Sequence, residues 1–409
     1  MRRLIKSLGR LALVAAGGFG LLLGLLWVDH TRKTSLPRPT GSSAVGRTTY
    51  VWRDTTQLDP MAPKAGTKRE LFAWIWYPAK SSPRSQSVDD YLPVPWRADI
   101  QRHSGVLLTQ FLTRDLSRVR AHAARDAEVS PQHRSYPVIL MRAGLAAQTT
   151  DYTALAEDLA SHGYVVVGFD APYRTTVVVF PDGRVIERAP QNDADLLSGP
   201  QQERLAKYLV QAWSADMGFA LQKLGELNTS GPSGRFLGRL DMERVGVFGH
   251  SLGGATTLQF CHDDSRCKVG IDMDGVPVGR VIADGVTQPF MFLMSDHKGE
   301  SDSDGSQPEA IRNAGANLHS IYNRLPADRR LMIVIRGAGH YMFSDDGSML
   351  KSPLAMYVLR FMGIVKLDGR RQVAVTEHYV STFFDVYLKG TPASTLESQR
   401  EYPEVEYVH

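Results

Sequence analysis

Cysteine, net charge and metal-binding motifs are what this sequence of 409 residues has least of. Two cysteines are too few for a disulfide scaffold, and no H-E-x-x-H or paired C-x-x-C spacing occurs, so no metal or cofactor site is predicted. The 47 basic and 43 acidic residues leave a net charge of +4. No basic stripe with interleaved aromatics is present, so no nucleic-acid partner is predicted.

The N-terminus contains the longest uncharged run. A basic segment, residues 1–10, precedes Leu11–Val28, 18 residues that would span about 27 Å as a helix. No A-x-A-like site ends the run, which favours a transmembrane anchor over a cleaved signal. We therefore expect the chain beyond it to lie outside the cytoplasm, tethered by a Pro/Gly/Ser-rich linker at 29–47, or to be secreted if the run is cleaved. Export would permit a Cys261–Cys267 disulfide, whose short loop contributes about 2 kcal/mol.

Residues 48–409 show the pattern of one α/β domain, with 80–135 as an insertion that could cap a site. Thr48–Arg53 and Leu71–Tyr77 alternate in polarity, which predicts an antiparallel start to a sheet. From Pro137 onwards, short apolar runs alternate with helical segments, which predicts a mostly parallel sheet covered on both faces. The predicted buried strands are Val138–Met141, Tyr164–Phe169, Val245–Phe248, Val269–Met273, Pro289–Met294 and Leu331–Ile335.

Three shorter features complete this pattern. Asp151 is predicted to cap a helix that ends at Gly163. Thr175–Ile186, with Pro-Asp-Gly at its centre, predicts a hairpin outside the main sheet, and Pro200 opens a long helix. Ligands in such a fold bind at the carboxyl ends of the strands.

One such strand end has the G-x-S-x-G pattern of a nucleophile elbow. Gly249-His250-Ser251-Leu252-Gly253 follows an apolar strand and precedes a helix-forming segment. This sharp turn lifts the serine hydroxyl out of the sheet, and its flanking glycines let two backbones pass closely. The pattern predicts Ser251 as a nucleophile, which needs a base and an orienting acid.

The acid and then the histidine are expected to follow Ser251 along the chain. His340 follows the last predicted strand through Arg-Gly-Ala-Gly, a flexible turn, and is the predicted base. The less suitably placed late histidines are His297, His319, His378 and His409. Asp274 and Asp296 each end a strand, and spacing alone does not choose between them, while Asp272 lies inside its strand and ranks lower.

Two main-chain amides must converge where the oxyanion develops. Leu252, the residue after the nucleophile, is one predicted donor. Leu145, in the loop Arg142–Ala146 after the first buried parallel strand, is the other.

Taken together, these residues resemble the platelet-activating-factor acetylhydrolase family of α/β-hydrolases over roughly Ala121 to Phe343. The segments that carry the resemblance are Ala121-His-Ala, Tyr136-Pro-Val, Leu159-Ala-Ser-His-Gly-Tyr164, Gly249-His-Ser-Leu-Gly-Gly-Ala-Thr256, Gly270-Ile-Asp-Met-Asp-Gly275 and Arg336-Gly-Ala-Gly-His340. The resemblance implies an α/β-hydrolase fold and a metal-independent serine esterase for short or oxidised acyl groups, often of phospholipids. It also places the acid directly after the strand that follows the elbow helix, which favours Asp274 over Asp296.

The sequence departs from this family at two positions. Relatives usually have a histidine where this chain has Ala143, and often another where it has Ala171. Because those strand ends are expected to be neighbours, we hypothesise that the two changes are coupled and tune the oxyanion loop or pocket. Two alternatives stay open: a general carboxylesterase or polyester hydrolase, and a catalytically silent hydrolase fold that binds at the membrane.

Overall fold

The computed structural model describes residues 2–80, 88–104, 114–231, 233–296, 309–349, 360–361, 366–397 and 402–408. His297, His409 and part of the predicted insertion at 80–135 lie outside the described residues.

The strands of the described residues are β1 (Thr34–Ser35), β2 (Ala44–Leu58), β3 (Lys68–Ala79), β4 (Val88–Asp90), β5 (Val119–Arg125), β6 (Tyr136–Arg142), β7 (Val165–Asp170), β8 (Val177–Val179), β9 (Val185–Glu187), β10 (Leu240–His250), β11 (Val269–Met273), β12 (Phe290–Met294), β13 (Arg330–Ile335) and β14 (Val405–Tyr407). The helices are α1 (Arg2–His30), α2 (Val94–Ser104), α3 (Thr153–Ser161), α4 (Gly199–Ser230), α5 (Leu252–Asp263), α6 (Val281–Asp284), α7 (Glu309–Arg324), α8 (Asp346–Met349), α9 (Gly369–Lys389) and α10 (Ser394–Glu397).

One 12-stranded sheet organises the fold, in the order β1-β5-β2-β3-β7-β6-β10-β11-β12-β13-β14, with β4 paired to β5. From β7 to β13 all neighbouring strands run parallel. β2 and β3 form the predicted antiparallel start, and β8 and β9 form the predicted separate hairpin. The predicted mostly parallel α/β sheet is therefore confirmed.

Successive side chains of the central strands enter two apolar clusters on opposite faces of the sheet. In β6, Ile139 and Met141 pack in the cluster that contains α3 and α9, which we call the α3/α9 face. Val138 and Leu140 pack in the cluster that contains α4, α5 and α7, which we call the α4/α5 face. Because both faces are covered, these strands must be continuously apolar, and this is the pattern that predicted them.

Parts of the chain expected to be a tether and an insertion contribute to the sheet instead. Thr34–Ser35 pair with β5, and β5 lies within the predicted insertion. The amide and hydroxyl of Thr40 both donate hydrogen bonds to Asp158, at 2.7 and 2.8 Å. A composition rich in Pro, Gly and Ser does not reveal such long-range bonds, so the expected tether is in fact packed against the domain.

α1 contains the one segment of the described residues that is long and apolar enough to cross a membrane, Gly9–His30. Its C-terminal end is bound to the domain, since the Asp115 amide donates to the His30 carbonyl at 3.0 Å. The Arg114 guanidinium donates to the carbonyls of Asp29, at 3.1 Å, and Met349, at 2.6 Å. The end of α1 therefore lies beside α8.

Cys261 and Cys267 form a disulfide, with their Cα atoms 5.1 Å apart. The bond links the last turn of α5 to the segment that enters β11. It thus braces the connection between two elements that flank the elbow.

Candidate active site

Ser251 lies in a sharp turn between β10 and α5, as the elbow motif predicts. Its backbone has φ 57° and ψ −125°, a region that residues other than glycine seldom adopt. A Cβ at Gly249 would overlap the Gly253 backbone, and one at Gly253 would overlap the Arg142 carbonyl. The two motif glycines are therefore required by the close approach of the chain around Ser251.

His340 and Asp274 meet at the carboxyl ends of the strands. His340 Nδ1 lies 2.6 Å from Asp274 Oδ2. The Asp274 side chain is fully buried, whereas that of His340 is 30% exposed. The amide and hydroxyl of Ser295 also donate to Asp274, at 2.9 and 2.6 Å. The carboxylate is thus fixed in place and can orient the imidazole through Nδ1, which leaves Nε2 for proton transfer.

The other candidate acids are engaged differently. Asp296 Oδ2 accepts a hydrogen bond from the Gly337 amide at 2.8 Å. Asp272 is completely buried beneath the elbow, and its Oδ1 accepts from the Gly275 amide at 2.8 Å. Burial, with a contribution from the neighbouring Asp274, raises the pKa of Asp272 well above its usual range. Burial thus disfavours the ionised form of Asp272, which the orienting acid of a triad requires.

The rival histidines that the structure describes lie on helices. His319 is exposed on α7, and His378 on α9 contacts the Tyr402 ring at 5.0 Å. Among the histidines considered from the sequence, His340 is the one that the structure places in hydrogen-bond contact with a candidate acid, Asp274.

Leu145 and Leu252, the predicted oxyanion donors, border the same apolar cluster. Their side chains pack against one small buried group, here called the Trp213 cluster, which consists of Met61, Ala194, Leu209, Ala212 and Trp213. Among the described residues, neither amide has a hydrogen-bond acceptor. A Cβ at Gly144 would lie 3.2 Å from Ser251 Cβ, so the loop lies directly against the elbow. Both amides are therefore free to bind a developing oxyanion near Ser251.

Comparison with known proteins agrees with this geometry. The family model described as platelet-activating factor acetylhydrolase, isoform II, matches residues 28–178 and 214–386. The chain belongs to this family.

Relatives with that name include proteins from Canis lupus familiaris, 25% identical over 349 residues, and Bos taurus, 26% identical over 343 residues; each alignment covers 78% of this chain and 70% of the relative. A probable 1-alkyl-2-acetylglycerophosphocholine esterase from Arthroderma benhamiae is 24% identical over 284 residues, 66% of each chain.

A solved structure of similar fold is the ferulic acid esterase from Streptomyces cinnamoneus. It superposes with a TM-score of 0.70 at 26% identity, and the match covers 92% of this chain and 99% of that one. The family membership and this structural similarity together show that the chain is an ester hydrolase with the α/β-hydrolase fold.

Charged residues behind the Trp213 cluster were not singled out by the sequence. Arg174, fully buried, binds Asp216 at 2.8 Å and Asp59 at 2.6 Å, and so joins three segments of this family member. Arg142 stacks 3.8 Å above the Trp213 ring, and burial lowers its pKa to about 10. No local pattern indicates these contacts, because their partners are far apart in sequence.

His250, the variable residue of the elbow motif, is also part of the site. It is 4% exposed, and its ring centroid lies 4.6 Å from that of His340. Burial, followed by the neighbouring His340, lowers the pKa of His250 to about 3. His250 is therefore neutral when His340 becomes protonated, so two adjacent positive charges are avoided.

The two positions at which relatives have histidines do not adjoin through their side chains. Ala143 packs on the α3/α9 face and Ala171 on the α4/α5 face, and both are buried. The expectation that neighbouring strand ends couple the two residues is not supported, because alternation places them on opposite sides of the sheet.

Proposed function

We propose that Ser251, His340 and Asp274 form the catalytic triad of this ester hydrolase. The observation that carries the proposal is the 2.6 Å hydrogen bond between His340 and Asp274, formed beside the elbow turn of Ser251. A buried carboxylate that accepts from Nδ1 sets the tautomer in which Nε2 accepts the serine proton.

The reaction then has two halves. Ser251 Oγ attacks the ester carbonyl while His340 Nε2 takes its proton, and the amides of Leu145 and Leu252 bind the oxyanion. His340 returns the proton to the leaving alcohol, and an acyl-serine remains. Water attacks this acyl group with His340 as the base, which releases the carboxylic acid and restores the Ser251 hydroxyl.

The proposed substrates are phospholipids with a short or oxidised acyl ester. This substrate class is supported by the relatives named platelet-activating factor acetylhydrolase and 1-alkyl-2-acetylglycerophosphocholine esterase. The likeness to a ferulic acid esterase favours a second candidate, a general carboxylesterase with broad acyl specificity.

A panel of three esters separates these candidates. The purified full chain in a non-ionic detergent would be assayed with a 2-acetyl phosphocholine ether lipid, its 2-palmitoyl analogue and methyl ferulate. We expect the acetyl lipid to have the highest kcat/KM, whereas a preference for methyl ferulate would favour the second candidate.

Ser251→Ala should abolish turnover and labelling by a fluorophosphonate. An unlabelled wild-type Ser251 would instead favour a hydrolase fold used for binding.

We also propose that α1 anchors the protein in a membrane with the hydrolase domain outside the cytoplasm. The bonds from Arg114 and Asp115 to the end of α1 support an uncleaved helix, because they make its last residues part of the domain's packing. N-terminal sequencing of the protein isolated from alkali-washed membranes tests this. The expected N-terminus precedes Leu11, and a soluble product that begins after Val28 would contradict the anchor.

A further inference from the structure

Tyr152 lies at the junction between the oxyanion loop and the elbow. It ends the 3₁₀ turn Thr149–Tyr152, which follows the loop, and its side chain is buried at 2% exposure. Its hydroxyl lies 2.7 Å from His250 Nδ1. Because the described residues offer this hydroxyl no other acceptor, it donates to Nδ1. Neutral His250 must then hold its proton on Nε2.

The proton on His250 Nε2 is directed into the region of the base. The His250 ring packs against the rings of His340 and Phe343, with centroids 4.6 and 5.7 Å away. Nε2 is buried, and the ring interacts with the main chain of His340.

The main chain on both sides of Tyr152 is bound to the segment that follows His340. The Asp345 amide donates to the Asp151 carbonyl at 2.6 Å. The Asp345 carboxylate accepts from the amides of Thr153 and Ala154, at 2.9 and 3.0 Å. Asp345, and not Asp151 as expected from the sequence, therefore caps the start of α3.

We propose that Tyr152, His250 and Asp345 form a clasp that positions the oxyanion loop and the His340 loop around Ser251. The clasp rests on the proposed triad and adds three positioning residues to it. Tyr152 holds the elbow through its hydroxyl, and Asp345 holds the base loop against the backbone of the residues that flank Tyr152. Gly144 of the oxyanion loop lies against this junction, since a Cβ there would be 3.5 Å from His250 Nδ1.

The decisive variant is Tyr152→Phe in the full chain, which removes one hydroxyl and keeps the ring. With the elbow released from the loop, Leu145 and Leu252 should no longer converge well on the oxyanion. We expect kcat to fall by roughly tenfold with KM changed less than about twofold, because the loss affects the transition state alone. Affinity for a boronic acid that forms a tetrahedral adduct with Ser251 should fall by the same factor.

Tyr136→Phe is the matched control. Tyr136 begins β6, so it lies at the opposite end of this strand from the oxyanion loop. Its buried hydroxyl donates a hydrogen bond to the Ser130 carbonyl, at 2.9 Å. This variant should lose stability but keep kcat. Equal losses in both variants, an unchanged kcat in Tyr152→Phe, or a rise in KM alone would overturn the clasp.

A second route addresses the same bond from its other partner. His250→Phe removes the acceptor and should reproduce the loss of kcat, so the test stands even if Tyr152→Phe fails to fold. The double variant should lose no more than either single variant, because the two residues act through one bond. Additive losses would contradict the clasp. Failure of the triad itself would appear elsewhere, as turnover by Ser251→Ala.

Discussion

Replacing His250 by glutamine should change how the stability of the protein depends on pH. Burial, followed by the neighbouring His340, lowers the pKa of His250 from 6.5 to about 3. Between these pH values the unfolded chain binds a proton that the folded chain excludes. The contribution of His250 to the free energy of unfolding is thus complete above pH 6.5 and is lost as the pH falls toward 3.

The magnitude follows from the size of this window. Each pH unit inside it costs about 1.4 kcal/mol, so the 1.5 units from pH 6.5 to 5 cost about 2 kcal/mol. Glutamine does not titrate in this range, and its amide oxygen can still accept a hydrogen bond from Tyr152. The wild type should therefore lose about 2 kcal/mol more than His250→Gln between pH 7 and pH 5.

Urea unfolding, followed by tryptophan fluorescence in one non-ionic detergent, measures this difference. Buried acids contribute with the opposite sign. Burial raises the pKa of Asp170 to about 6, so its folded carboxylate becomes unfavourable as the pH rises. These contributions are common to both proteins and cancel in the difference. His133→Gln, at an exposed position, should show the same pH dependence as the wild type.

Parallel pH profiles for the wild type and His250→Gln would refute this reasoning. They would mean that the folded protein accommodates a charged His250 beside His340. A shallower profile in His133→Gln would equally show that the slope does not come from the buried ring.

Three other predictions concern the elbow, the acid and the disulfide. Because glycine adopts the backbone of Ser251 without strain, Ser251→Gly should be about 1 kcal/mol more stable than Ser251→Ala in urea unfolding. A glycine variant that is less stable than the alanine variant would contradict a strained turn. Asp274→Asn should lower kcat by roughly 10⁴-fold and Asp296→Asn much less, so a larger loss at Asp296 in ester turnover would reverse the choice of acid. Reduction of Cys261–Cys267 should cost about 2 kcal/mol of stability, and the double serine variant, insensitive to dithiothreitol in the same unfolding assay, is its control.

The central sheet was predictable because burial on both faces leaves a continuous apolar run. β6, β7 and β10 to β13 all lie at or near the predicted segments. β5 was missed, since Val119, Ala121 and Ala123 are its buried residues and two alanines give little alternation of hydrophobicity. In the sequence, a short strand with small inward-facing side chains therefore resembles a polar loop.

The candidate site was predictable where it depends on local turns and not where it depends on distant partners. The elbow at Ser251 is a local pattern, and so is the strand end that places Asp274. The bond from Tyr152 joins residues 98 positions apart, and that from Asp345 to Thr153 joins residues 192 positions apart. Hydrophobic periodicity does not reveal which distant residues pair. These pairs can be identified only once the fold has brought the strand ends together.

The absence of the two family histidines can be tested as two separate substitutions. Ala143 lies on the α3/α9 face with the clasp residue Tyr152, whereas Ala171 lies on the α4/α5 face. Restoring each histidine alone and both together, with kcat/KM measured on one soluble ester, forms a double-mutant cycle. Because the side chains occupy opposite faces, their interaction energy should stay below about 0.5 kcal/mol.

Each histidine enters a buried site that now holds alanine, so overpacking should cost about 1–3 kcal/mol of stability, and thermal melting must accompany the kinetics. A larger interaction energy between Ala143→His and Ala171→His would show that the loop moves far enough to bring the two side chains together. The oxyanion loop would then be less tightly held than the clasp requires. Additive effects would instead mean that Ala143 acts on its surroundings near Tyr152 and that Ala171 acts separately on the α4/α5 core.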